Sequence, residues 1–174
     1  MRIRVILAAA VVSSIAVLAP MGQFGAGQFG TGQAAAAPPA RVLGIPMAAG
    51  TGGLTPELAV AYTLASRDAQ RAGTALHITS GKRTRAEQRA LWQQGLRDYG
   101  SAAQARRWVL PPNESTHVTG RAIDVGPRAG AAWLQRNGNR YGLCRSFDNE
   151  WWHFEFATFP GTRCPPRIPD AGHR

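Results

Sequence analysis

His117 and Asp124 stand seven residues apart, a spacing that does not serve a metal from one helix face as an i, i+4 pair does. With His153 they make two imidazoles and one carboxylate, the donors a catalytic zinc ion takes while keeping a fourth position open. A fold that unites them must bring a loop and a strand together, and Gly120 lets the backbone turn between them. His153 has to arrive from a separate strand. Glu150 lies three residues before it, and positions three apart on a strand point to opposite faces. Glu150 is therefore expected in the preceding turn, where Asp148-Asn149 supplies turn chemistry. A carboxylate held there can take a proton from water and return it to a leaving amine.

The rest of the chain supplies elements for such a fold. Thr55-Pro56-Glu57 is a helix start, and Leu58, Ala61, Tyr62 and Ala65 repeat at helical spacing until Gly73 ends the run. Residues 75–79 alternate as a strand. Thr84 and Glu87 form a capping box for a second helix with an apolar stripe at Leu91, Trp92 and Leu96. A short helix is expected over 102–109, and Pro111-Pro112-Asn113 breaks it. Residues 121–125 form a strand with Ile123 and Val125 on one face and Ala122 and Asp124 on the other. A helix over 131–135 and a third strand over 151–156 complete an α+β fold, a small antiparallel sheet with helices packed on it.

This catalytic-type domain spans 54–160, between a Pro/Gly/Ala linker at 38–53 and a Pro-rich tail at 161–174. Residues 1–37 have the form of a secretory signal: Arg2 and Arg4, an apolar run from Val5 to Leu18, and an A-x-A cleavage site at Ala35 and Ala37. A cut near Ala19 and an uncleaved anchor are the alternatives. Export bears on the net charge of +10. Basic chains bind anionic polymers, and for an exported one the partner is an anionic wall polymer or membrane surface rather than nucleic acid. Cys144 and Cys164 form a pair expected to be disulfide-bonded in that setting, closing a loop of about 20 residues around His153. A catalytic Cys–His pair is the competing reading. His77 and His173 are taken as structural or surface residues, and Trp151 and Trp152 as packing. Glu155 is either a solvated strand residue or a partner that orients a ligand.

The string Ser115-x-His117-x-x-Gly120-x-Ala122-x-Asp124, followed by Glu150-x-x-His153, resembles the signature of the VanY-type D-alanyl-D-alanine carboxypeptidases. These are grouped with D,D-dipeptidases and phage L-alanyl-D-glutamate peptidases, zinc enzymes that share the Hedgehog fold. Ser80-Gly81-Lys82-Arg83-Thr84 is similar to that group's Ser-Gly-aromatic-Arg-Ser element, with Lys82 in place of the aromatic. The resemblance covers 54–156, and its Asp124-to-His153 interval is short for the group. It implies Zn2+ held by His117, Asp124 and His153, Glu150 as catalytic acid/base, and Arg83 as the donor that steadies an oxyanion. It also implies that Ser115 lies near the substrate's carbonyl or carboxylate and that Gln88 lines the pocket. The implied activity is hydrolysis of a peptidoglycan stem peptide with release of terminal D-alanine, by a monomer outside the membrane. An L,D-carboxypeptidase, a stem-peptide endopeptidase and a non-catalytic wall-binding module are the alternatives.

Overall fold

The computed structural model describes Arg41, Val42 and residues 44–174, all within the unit running from Ala37 to Arg174. The signal reading of residues 1–37 lies outside the described residues. Within the stretch read as a linker, β1 (Arg41–Val42) and β2 (Ile45–Pro46) pair as a hairpin. Met47 and Thr51 beyond it are buried, and the Ala48 N–H donates to Thr63 Oγ1 at 3.0 Å. That stretch is docked on the domain.

Helix α1 (Pro56–Arg71) begins at the expected signature. Thr55 takes extended backbone and its carbonyl accepts from the Ala59 N–H at 2.9 Å, but its side chain makes no capping bond. Pro56 compensates, because its ring presets the helical φ and it has no N–H to satisfy. Leu58, Ala61, Tyr62 and Ala65 form one buried face. That face packs on Ile123, Val125, Leu134, Leu143 and Phe154, and this cluster is the main core.

Strand β3 (His77–Ser80) is followed by α2 (Arg85–Tyr99), α3 (Ala102–Arg106), β4 (Ala122–Gly126), α4 (Arg128–Asn137), β5 (Leu143–Arg145) and β6 (His153–Phe156). Strands β3 to β6 make one antiparallel sheet in the order β3-β4-β6-β5. The register sets Asp124 opposite His153 across β4–β6, and opposite Ser80 across β4–β3, where the pairing steps irregularly. Strand β4 is buried along its whole length, on both faces rather than one. Among the described residues no helix is long and apolar enough to cross a membrane.

Helix α2 departs from its apolar reading. Its capping box forms, with Thr84 Oγ1 accepting from the Glu87 N–H and Glu87 Oε2 accepting from the Thr84 N–H. Yet Leu91 is 43% exposed, and the buried positions are Gln88 and Gly95. A side chain at Gly95 would meet Val109 Cγ1 at 2.5 Å, so the missing Cβ lets the chain after α3 approach closely. The third strand starts at His153 instead of Trp151, because Trp151 and Trp152 form the turn before it.

Strand β5 anchors the 161–174 segment, which is not a free tail. Cys144 on β5 is disulfide-bonded to Cys164, with a Cα–Cα distance of 5.7 Å. Ile168 then bridges Phe147 in parallel, and Asp170 and Ala171 are buried. Proline-rich composition reads as a tail, but an extended segment can lie along a sheet edge wherever its remaining N–H groups find carbonyls. Here the Ile168 N–H donates to Ser146 O at 3.1 Å and the Asp148 N–H to Ile168 O at 2.9 Å. Reducing the disulfide is expected to lower stability by about 3 kcal/mol through loop entropy, a Tm drop of roughly 10 °C in a thermal melt with and without dithiothreitol.

Candidate metal centre and active-site cleft

The turn over 115–121 brings His117 to the sheet. The Gly120 N–H donates to His117 O at 3.1 Å and the Arg121 N–H to Thr116 O at 2.9 Å, folding the segment back onto β4. Gly120 has φ +70, and a Cβ there would meet Gly53 O at 2.4 Å, so glycine alone fits this turn. Strand β4 then presents Asp124, and β6 presents His153 at the facing register.

The three groups meet as a near-equilateral triangle. His117 Nε2 is 3.3 Å from Asp124 Oδ1, His153 Nδ1 is 3.2 Å from the same oxygen, and the two nitrogens are 3.3 Å apart. A tetrahedral zinc ion with bonds of about 2.0–2.1 Å has ligand–ligand edges of about 3.3–3.4 Å. The donor set therefore fits zinc in both kind and size. Among the described residues these three are the group that could hold a metal.

The atoms behind the triangle aim it. His117 Nδ1 lies 2.8 Å from Gly81 O, so that nitrogen carries the proton and Nε2 turns its lone pair inward. His153 Nε2 lies 2.9 Å from Glu155 Oε1, which fixes the opposite tautomer and directs Nδ1 inward. Three electron-pair donors thus converge, and a cation or a proton must sit among them. Burial opposes charge on His153, but hydrogen bonds and the negative charge of Asp124 and Glu155 outweigh it and push the imidazole up to about 9. Burial would likewise raise Asp124, yet His117 and His153 hold it well below the usual carboxylate range.

Glu150 sits in the turn ahead of β6, with Oε2 3.6 Å from His153 Nδ1. It is buried, and burial pushes its carboxyl up to about 7 against the opposing charge of His153. Arg83 is held at all three nitrogens. Nε donates to Ser80 Oγ at 2.9 Å, Nη1 to Gln88 Oε1 at 3.1 Å and Nη2 to Asp124 Oδ2 at 2.7 Å. Gln88 lines the cleft but spends both ends on protein, since its Nε2 donates to Leu110 O at 2.8 Å. Ser115 is buried on the cleft wall. Lys82 lies outside the cleft, packed over Gly53. His77 is exposed on β3, and His173 pairs with Asp170.

The cleft is a cavity of about 70 Å³ lined by Arg83, Gln88, Trp108, Ser115, His117, Asp124, Phe147, Glu150, Trp152, His153 and Arg174 among others. Arg174 in its wall went unread in the sequence, whereas Glu155, behind His153, was left open there between a solvated strand residue and a partner that orients a ligand. Glu155 accepts from His153, from Thr116 Oγ1 at 3.0 Å and from Arg174 Nη2 at 2.8 Å, and the charges beside it hold its carboxyl down to about 2 against the effect of burial. The available signal was its place two residues after His153 on one strand, which puts both side chains on one face. Arg174 carried no local signal at all.

The model of the VanY D-alanyl-D-alanine carboxypeptidases matches residues 52–159, more than half of the chain. The chain belongs to the VanY family. Zinc carboxypeptidase chemistry comes with that family, and the whole metal triangle falls inside the matched residues. The VanY-family fold is also seen in solved structures. A vancomycin-resistance D,D-pentapeptidase in complex with Zn(II) matches with a TM-score of 0.53 at 23% identity, over 59% of this chain and 71% of that one. The D,D-dipeptidase VanXYg in complex with a D-Ala-D-Ala phosphinate analog gives 0.53 at 27% identity, over 62% and 51%. The LD-carboxypeptidase LdcB gives 0.52 at 25% identity, over 59% and 58%. No curated protein matches the chain.

Proposed function

We propose that this chain removes the terminal D-alanine from peptidoglycan stem peptides, with His117, Asp124 and His153 holding zinc and Glu150 moving the proton. The observation that carries this reading is the triangle of donors at 3.2–3.3 Å with a buried carboxylate 3.6 Å from one corner. Zinc held there would polarise the scissile carbonyl and make a water nucleophilic at neutral pH. Glu150 takes the proton from the attacking water and delivers it to the departing amine, a task suited to a carboxyl raised by burial to about 7. Arg83, immobilised by Ser80, Gln88 and Asp124, offers a fixed positive charge to the developing oxyanion. Ser115 stands on the wall of the same cleft, and its hydroxyl is assigned to the substrate's carbonyl or carboxylate.

The signal-like residues 1–37 support action outside the membrane, and the net charge of +10 favours an anionic wall polymer over nucleic acid. Hydrolysis of defined pentapeptide, tetrapeptide and cross-linked stems tests the bond. Release of D-alanine from the pentapeptide alone supports the proposal, whereas cleavage of the tetrapeptide alone moves the activity to the L,D bond. No hydrolysis of any stem would sink it.

Metal affinity should carry the mark of His153. A metal needs the deprotonated nitrogen, and below about pH 9 a proton occupies it. Apparent zinc affinity is therefore expected to fall about tenfold per pH unit as pH drops below about 9, measured by competition with a chromophoric chelator. A flat profile between about pH 9 and 7 would mean that no proton competes with the metal at His153 in that range.

A further inference from the structure

Asp124 and Glu150 put two carboxylates in the cleft, a poor reception for a peptide that ends in a carboxylate. Two arginines line the same cavity. Arg83 has each of its nitrogens bound to Ser80, Gln88 or Asp124, so it meets an incoming anion only by giving up donors already in use. Arg174 differs. A single nitrogen, Nη2, donates to both oxygens of Glu155 at 2.8 and 2.9 Å, and Nη1 and Nε have no protein partner among the described residues. The guanidinium lies over the Phe147 ring at 4.9 Å, which fixes its plane at the cleft wall.

The segment carrying Arg174 is itself tied down. The Cys144–Cys164 disulfide, the Ile168–Phe147 bridge and the buried Asp170, which accepts from Arg107 Nε at 2.9 Å, hold it against the domain. The Arg174 N–H donates to Ala171 O at 3.3 Å. This segment lies beyond the matched residues 52–159, so nothing in the family match assigns it a role.

Resting on the carboxypeptidase reading above, we propose that Arg174 is a specificity-determining residue whose guanidinium receives the free carboxylate at the C-terminal end of the substrate. Arg174 lines the same cleft as His117, Asp124 and His153, and its Nη1 and Nε, unpartnered among the described residues, leave donors for an anion bound there. A charge-assisted bond to Nη1 is stronger than a neutral one and selects an acid over its amide.

The test is equilibrium binding of an N-acyl-D-Ala-D-Ala acid and its C-terminal amide, by calorimetry, to the zinc-loaded full chain carrying Glu150→Gln to suppress turnover. Adding Arg174→Gln is expected to weaken the acid at least about tenfold and leave the amide and the zinc stoichiometry unchanged. Arg174→Lys should recover part of the loss. In the otherwise native chain Arg174→Gln should raise KM and hold kcat. Equal weakening of acid and amide, or loss of zinc, overturns the proposal and makes Arg174 a support of Glu155 only. An acid that does not bind the parent overturns it too. Discrimination that depends on Arg174 in a chain that hydrolyses no stem peptide would leave this inference standing and remove the assigned reaction.

Discussion

Replacing Glu150 with glutamine is expected to lower kcat by roughly 10²–10⁴-fold, the range for losing a positioned acid–base group. Glutamine keeps the size and the turn ahead of β6 but can neither take up nor release a proton at neutral pH. The Glu150 side chain makes no hydrogen bond among the described residues, and its Oε2 lies 3.6 Å from His153 Nδ1. Burial already disfavours its charged form, so the substitution removes an unfavourable buried charge. Zinc content by mass spectrometry and Tm are therefore expected to stay near those of the parent, and Tm may be checked in the same samples as kcat. Retained turnover would assign the proton transfer to another group.

The second large effect falls on metal binding and stability together. His153→Ala removes one corner of the triangle, and zinc binding and activity are expected to fall to background. It also strips a partner from Asp124 and Glu155, both well shielded from water. Removing one member of a buried charged group costs about 3–5 kcal/mol. Arg83 still serves Asp124 and Arg174 still serves Glu155, so the lower end of that range applies. Denaturant unfolding of the metal-free proteins gives the value. One zinc per chain in the variant would place the metal elsewhere.

The legible parts of the fold rest on local rules. The Thr84–Glu87 capping box and the Pro56 start depend on residues within four positions of each other, and both formed. The expectation that Glu150 lies in a turn also held, since strand periodicity alone excludes it from the face of His153. What failed to show depended on distant partners. β5 is three residues without alternation, recognisable only beside β6. The apolar stripe of α2 proved exposed at Leu91, because the helix spends its inward side on Gln88 for the arginine and on Gly95 for close approach. The assembled triangle needed a register, Asp124 opposite His153, that no spacing within either segment encodes. Arg174 reaches the cleft only because Cys164 and Ile168 are fastened some distance before it.

That fastening separates two tasks along the chain. Every group of the candidate metal triangle and every atom that orients one, apart from the Arg174 guanidinium, comes from residues 80–155. The Arg174 side of the cleft comes from a strip held by the Cys164 disulfide, the Ile168–Phe147 bridge, the Arg107–Asp170 pair and the Arg174–Glu155 pair. On the Arg174 proposal, exchanging side chains along this strip while keeping its fastenings and the Arg174–Glu155 pair is a route to retuning which peptide end is admitted.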